Sequence, residues 1–262
     1  MRRHKNKRRL TGLLVIAVQS AVVYLLIPAP KTQAPHLNDN NRLPASQIKN
    51  TGQVVFDKTS YPNDQAASLW AVVNKGRSLP GDYVPAGLIQ PQVAAAGKEL
   101  VRPDTAAALK AMFEAAAGDG IRLEVVSGYR SFSYQQQVYN GYVRQVGIAA
   151  ADTFSARPGH SEHQTGLAAD IGAVSGKCEL DQCFGNTAEG RWLAANCADY
   201  GFIIRYANGK DKLTGYEYEP WHVRYVGKDL AAQIKKSGQT LEQFLGLPAY
   251  DSYPADSLTL KE

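Results

Sequence analysis

The chain has 262 residues, 44% of them hydrophobic and 20% charged, with a mean hydropathy of −0.30 and a formal net charge of +5. That composition excludes a disordered polymer and a multi-span membrane protein, and the length suits one or two domains of about 150 residues each. Six positives, Arg2, Arg3, Lys5, Lys7, Arg8 and Arg9, crowd the start. Subtracting those six from +5 leaves −1 for the remainder, whose scattered Lys and Arg form no basic cluster of the kind nucleic acid requires.

In chain order, residues 1–9 form a basic tail and residues 10–27 an apolar segment. Leu10 to Ile27 is interrupted by Thr11, Gln19 and Ser20 and stopped by Pro28 and Pro30. As a helix it would reach about 27 Å, just short of a hydrocarbon core of about 30 Å, so a membrane anchor or a cleavable export signal is expected. Thr32-Gln33-Ala34 is a weak cleavage candidate. The basic tail would stay cytoplasmic, which puts the rest of the chain outside, anchored to the membrane or secreted. Residues 28–55 are rich in Pro, Asn and Gln without a sustained period and read as a flexible linker. Residues 56–250 have the composition of one globular domain, large enough to bury a core, and residues 251–262 read as a C-terminal tail.

Within the domain, residues 104–117 form a predicted helix, with Asp104 as N-cap after Pro103 and Leu109, Met112 and Phe113 on one stripe. Leu123 to Val126 is β-prone. Ser133 to Val146 has helical spacing despite Gly141. Leu167 to Ile171 is strand-like and is expected to break at Gly172. Thr187 to Tyr200 opens on a Thr N-cap and closes at Gly201, with Trp192, Leu193 and Cys197 on one face. Phe202 to Tyr206 and Trp221 to Val226 are strand candidates, and helix returns from Asp229. Without a regular βαβ alternation, the fold class is α+β, a small, mainly antiparallel sheet flanked by helices, preceded by the anchor or signal helix. Of three cysteines, Cys178 and Cys183 enclose four residues and suit a local disulfide in an oxidising compartment, while Cys197 reads as a small buried hydrophobe.

Two polar clusters carry the chemistry: Pro158 to Asp170 (PGHSEHQTGLAAD) and Glu217 to His222 (EYEPWH). They offer His163, Asp170 and His222, donors that suit Zn²⁺ and leave a fourth position for water. His163 precedes a strand, Asp170 lies near its far end, and His222 comes from a second strand that could pair beside it. A three-ligand site brings the pKa of bound water toward about 7, and a nearby carboxylate can take its proton and pass it to a leaving amine. Glu219, three residues before His222, is the candidate for that role.

Four ordered segments, SGYRS (Ser127 to Ser131), PGHSEHQTGLAADI (Pro158 to Ile171), YGFIIRY (Tyr200 to Tyr206) and YEPWHVRYVG (Tyr218 to Gly227), resemble the VanY-type D-alanyl-D-alanine carboxypeptidases. These are exported zinc peptidases that trim peptidoglycan stem peptides. Val72 to Leu88 and Arg102 to Ala116 are also similar to that family, so the resemblance runs over about residues 69–248.

The resemblance implies His163, Asp170 and His222 as zinc ligands and Glu219 as catalytic base. It implies Arg130 as the group that engages the substrate carbonyl and supports the developing oxyanion, and Ser161 and Gln135 as holders of the substrate's C-terminal end. His160 departs from the family's pattern and is expected at the pocket rim; Glu162 is expected in solvent; Trp221 is expected to pack beside the ligand next to it. Glu217 is a second glutamate near the site, with the family register favouring Glu219. The implied activity is removal of the C-terminal D-alanine from stem peptides by a monomer that touches the membrane through its N-terminal segment. An L,D-carboxypeptidase or dipeptidase on the same metal, and a catalytically inactive wall-binding module, are the rival expectations.

Overall fold

The computed structural model describes residues 57–262. The anchor or signal segment 10–27 and the linker 28–55 lie outside them, and no helix among the described residues is long and apolar enough to cross a membrane. In chain order the elements are β1 (Arg77–Ser78), α1 (Pro103–Gly118), β2 (Leu123–Ser127), α2 (Phe132–Val146), α3 (Ile148–Phe154), β3 (Ala168–Ala173), α4 (Ala188–Asn196), β4 (Phe202–Tyr206), α5 (Asp211–Thr214), β5 (Glu219–Tyr225), α6 (Lys228–Ser237), α7 (Leu241–Leu245) and β6 (Leu258–Thr259).

Four strands form one sheet in the order β2-β3-β5-β4, each neighbouring pair antiparallel, as the α+β reading expects. β3, with the sequence AADIGA, is buried along its whole length and lies inside the sheet. Successive residues of β4 feed different cores, as a period of two dictates. Phe202 joins Leu109, Met112 and Phe113 of α1, Ile171 of β3, Leu193 of α4 and Val223 of β5. Ile203 joins Trp70, Leu167, Val226, Leu230, Ile234 and Phe244. Each such side chain contributes about 1.5–3 kcal/mol by leaving water, so the strands are held from more than one direction.

Several boundaries shift from the sequence reading for local reasons. Arg102, not Asp104, is the N-cap of α1: Pro103 takes the first helical position, where its missing N–H costs nothing, and Asp104 sits in the first turn. Gly172 does not end β3, because the ladder to β2 carries it opposite Glu124. α4 is capped by the Thr187 side chain as expected but stops at Asn196, and a 3₁₀ turn, Cys197–Tyr200, completes the segment. Gly201, at φ +89°, then turns the chain in the left-handed region that favours glycine. Residues 251–262, expected as a tail, return to the domain: β6 pairs in parallel with β1, and Leu260 is buried beside Ala66, Val73 and Leu79. Cys178 and Cys183 form the expected disulfide and Cys197 is free and buried.

Candidate functional site

The sheet register builds the site. Asp170 of β3 is the cross-strand partner of His222 on β5, and Ser127 of β2 is the partner of Asp170 on its other side. Directly opposed residues of an antiparallel pair project to one face, so aspartate and imidazole meet there: Asp170 Oδ1 lies 3.2 Å from His222 Nδ1. His163 reaches the same point from the 3₁₀ turn Glu162–Thr165 just before β3, its Nε2 3.2 Å from Asp170 Oδ2. One ligand atom from each of His163, Asp170 and His222 falls within 4.8 Å of the others, and all three residues are buried. His160, three residues earlier, is not in this group: its Nδ1 is hydrogen-bonded to the Asn74 carbonyl at 2.8 Å and its ring meets Tyr253 edge-on.

Each side chain is positioned from behind. The Nδ1 of His163 is 2.7 Å from the Gly128 carbonyl, which leaves Nε2 facing the cluster. Gly128 has to be small: a Cβ there would lie 2.4 Å from the Leu100 carbonyl oxygen. The amide of Arg130 donates to the His163 carbonyl, so the SGYRS turn and the histidine turn are joined through the backbone. Ser131 caps α2 by accepting from the Tyr134 amide, which fixes where the helix starts relative to Arg130. The Arg130 guanidinium donates to Gln135 Oε1 at 2.9 Å and Ser127 Oγ at 3.1 Å and lies 3.5 Å from Asp170 Oδ2.

Gln135 is buried with both ends of its amide engaged, since its Nε2 donates to the Ala156 carbonyl. Ser161 is buried too, but its side chain caps nothing in the turn that follows it. Glu219, at the start of β5, lies 3.6 Å from His222 Nδ1. Glu217 is exposed and accepts a hydrogen bond from Thr153. All seven predicted site residues, Arg130, Gln135, Ser161, His163, Asp170, Glu219 and His222, line one cavity of about 900 Å³, which Glu217 and Trp221 also border; Trp221 packs its other side on the core.

Burial and charge set the protonation states. Burial, reinforced by Arg130, pushes the His163 imidazole toward its neutral form. Burial alone would raise Asp170, but the neighbouring imidazoles of His163 and His222 hold it well below the usual carboxylate range. Burial lifts the Glu219 carboxyl to about 8 against the pull of His222. For His222 burial works the other way, and the nearby carboxylates of Asp170, Glu162 and Glu219 outweigh it, raising the imidazole to about 9.

One expectation is corrected. Glu162 is not in solvent: it is fully buried, its Oε1 accepting from Arg205 Nε and Arg224 Nη1, both at 2.8 Å. The signal that could have found it is the pair of arginines set among apolar residues in FIIRY and WHVRY, buried strand positions that demand a carboxylate partner. Sequence reasoning also passed over Tyr206, whose ring packs 4.9 Å from that of His222.

Against this geometry, a model of the VanY family, described as D-alanyl-D-alanine carboxypeptidase, matches residues 98–228, a span that holds every site residue named above. The Bacillus subtilis (strain 168) protein YodJ is 46% identical over 182 residues, covering 68% of this chain and 67% of that one. Among solved structures, the LD-carboxypeptidase LdcB matches with a TM-score of 0.66 and 45% identity, over 69% of this chain and 87% of its own. A mutant of the vancomycin-resistance D,D-pentapeptidase VanY from a VanB-type cassette, solved with Zn(II), matches with a TM-score of 0.58 and 35% identity, over 69% and 99%. This chain therefore belongs to the VanY family of D-alanyl-D-alanine carboxypeptidases.

Proposed function

We propose that this protein is a zinc-dependent carboxypeptidase that removes the C-terminal D-alanine of peptidoglycan stem peptides outside the cytoplasmic membrane, to which residues 1–27 would attach or export it. The observation that carries the reading is the convergence of two imidazoles and an aspartate beside a burial-raised glutamate in one cavity. The donor set fits zinc: nitrogen and carboxylate oxygen are its usual partners, His163 is held neutral, and Asp170 Oδ1 is a buried acceptor with no hydrogen bond. When bound by His163, Asp170 and His222, zinc would supply a Lewis acid that acidifies water and polarises a carbonyl.

The protein's own groups do the rest. Glu219 takes the proton from the attacking water on its carboxylate and returns it to the departing amine, a task for which a pKa near the working pH is suited. Arg130, fixed by Gln135 and Ser127, presents a guanidinium to the oxygen that becomes negative. The Ser161 hydroxyl, unused in capping, and the polar side of the cavity receive the peptide's C-terminal end. Gln135 acts through Arg130.

Two peptide lengths suit this activity. The higher identity with the LD-carboxypeptidase LdcB favours cleavage of tetrapeptides, and the family description favours pentapeptides ending in D-Ala-D-Ala. Purified protein is incubated with each stem peptide and the products are weighed, before and after chelation and zinc restoration. Loss of one D-alanine from either peptide, abolished by chelator and restored by zinc, is the expected result. No release from either with zinc present would overturn the reading.

A further inference from the structure

The two imidazoles of the cluster are held differently. His163 turns Nε2 to the cluster, and its other nitrogen meets a backbone carbonyl. His222 turns Nδ1 to Asp170 and Glu219, and its other nitrogen, Nε2, faces Glu162 Oε2 at 3.7 Å. Both of these atoms are buried and neither has a hydrogen bond. Glu162 cannot turn elsewhere: its Oε1 is shared by Arg205 and Arg224. Arg205 is bound in turn by Glu242, and Arg224 donates to the carbonyls of Leu69 and Ala71. A rigid buried carboxylate and an unpaired imidazole nitrogen are thus aimed at each other across a small gap, and leaving both unpaired is costly.

We propose that Glu162 is a positioning residue: it accepts the Nε2–H of His222 and so fixes the tautomer and ring orientation that turn the Nδ1 lone pair toward His163 and Asp170. Carboxylate partners of this kind orient metal-binding histidines and raise their basicity. The inference rests on the metal reading above and adds a residue that the sequence placed in solvent.

Two measurements test it without using hydrolysis. Zinc affinity is measured by chelator competition for wild type, Glu162→Gln and Glu242→Gln, with thermal melts of each metal-free form. Glu162→Gln is expected to weaken zinc binding about 10–100-fold, whereas Glu242→Gln, which takes a carboxylate from the same Arg205 but touches neither imidazole, should lower the melting temperature and leave zinc affinity unchanged. Equal affinity in Glu162→Gln and wild type overturns the proposal; a purely structural role would move the melts alone. Should Glu162→Gln fail to fold, ¹⁵N spectra of histidine-labelled wild type with zinc decide: His222 protonated at Nε2 and metallated at Nδ1 is expected, and the reverse assignment overturns it. Wild type that binds no zinc sinks both this inference and the proposed function, whereas an active zinc enzyme indifferent to Glu162 sinks this one alone.

Discussion

Burial equips Glu219 for proton transfer and charges the fold for it. A carboxyl whose folded pKa is about 8 against an ordinary 4.5 keeps a proton that the unfolded chain releases. Its penalty is absent below about pH 4.5 and grows as pH rises toward 8. Glu219→Gln should therefore retain zinc and lose about 10²–10⁴-fold in turnover. In the metal-stripped state it should melt above wild type at pH 8, with the gap closing toward pH 5, as read by differential scanning calorimetry. Near-wild-type turnover in this variant would reassign the base. Arg130→Ala removes a guanidinium that two side chains hold in place. It should cost about 10²–10³-fold in kcat with a smaller change in KM, the pattern of a group whose interaction strengthens in the transition state. A KM effect alone in steady-state kinetics would make Arg130 a simple substrate anchor.

At the scale of elements, the turn from β2 into α2 does two jobs at Gly128: it passes under the Leu100 carbonyl and offers its own carbonyl to His163. Gly128→Ala should cost about 1–3 kcal/mol through overpacking and weaken zinc binding with it, as urea melts and chelator competition would show; unchanged values for both would mean that the loop yields freely. The elements legible in the sequence were those with strong local signals. β4 appeared with its bounds unchanged because FIIRY is a short apolar run between a glycine stop and a polar loop, and the Thr187 cap announced α4. The meeting of His163, Asp170 and His222 was legible through the family resemblance that S-x-H and E-P-W-H carry, since the spacing alone is a weak signal. Glu162 was not, because its burial depends on arginines 43 and 62 residues downstream, and no local pattern records such partners. Nor were β1 and β6, two residues each, whose pairing joins distant parts of the chain.

Across the whole molecule, a buried ionic knot and a C-terminal strap tie the domain together. Glu162, Arg205, Arg224 and Glu242 link the histidine turn, two strands and α7, and Asn74, just before β1, joins them through Glu242. The strap carries Tyr253, whose hydroxyl accepts from the Arg157 amide and lies 3.1 Å from that of Tyr216; Tyr216 packs on Tyr206, and Tyr206 on His222. Ending the chain after Leu247 should therefore cost at least about 2 kcal/mol, the loss expected from vacating the Leu260 site alone, and should lower kcat as well. A truncated protein with wild-type denaturation and kinetics would show that residues 248–262 are dispensable. The strap also brings Lys261 against Asp64, by a backbone hydrogen bond of 2.8 Å and a side-chain ion pair of 2.8 Å. Because those two positions touch, tethers attached at Asp64 and at Lys261 would leave from one spot on the surface. Wild-type protein immobilised through either position would therefore show the same face to an insoluble polymer.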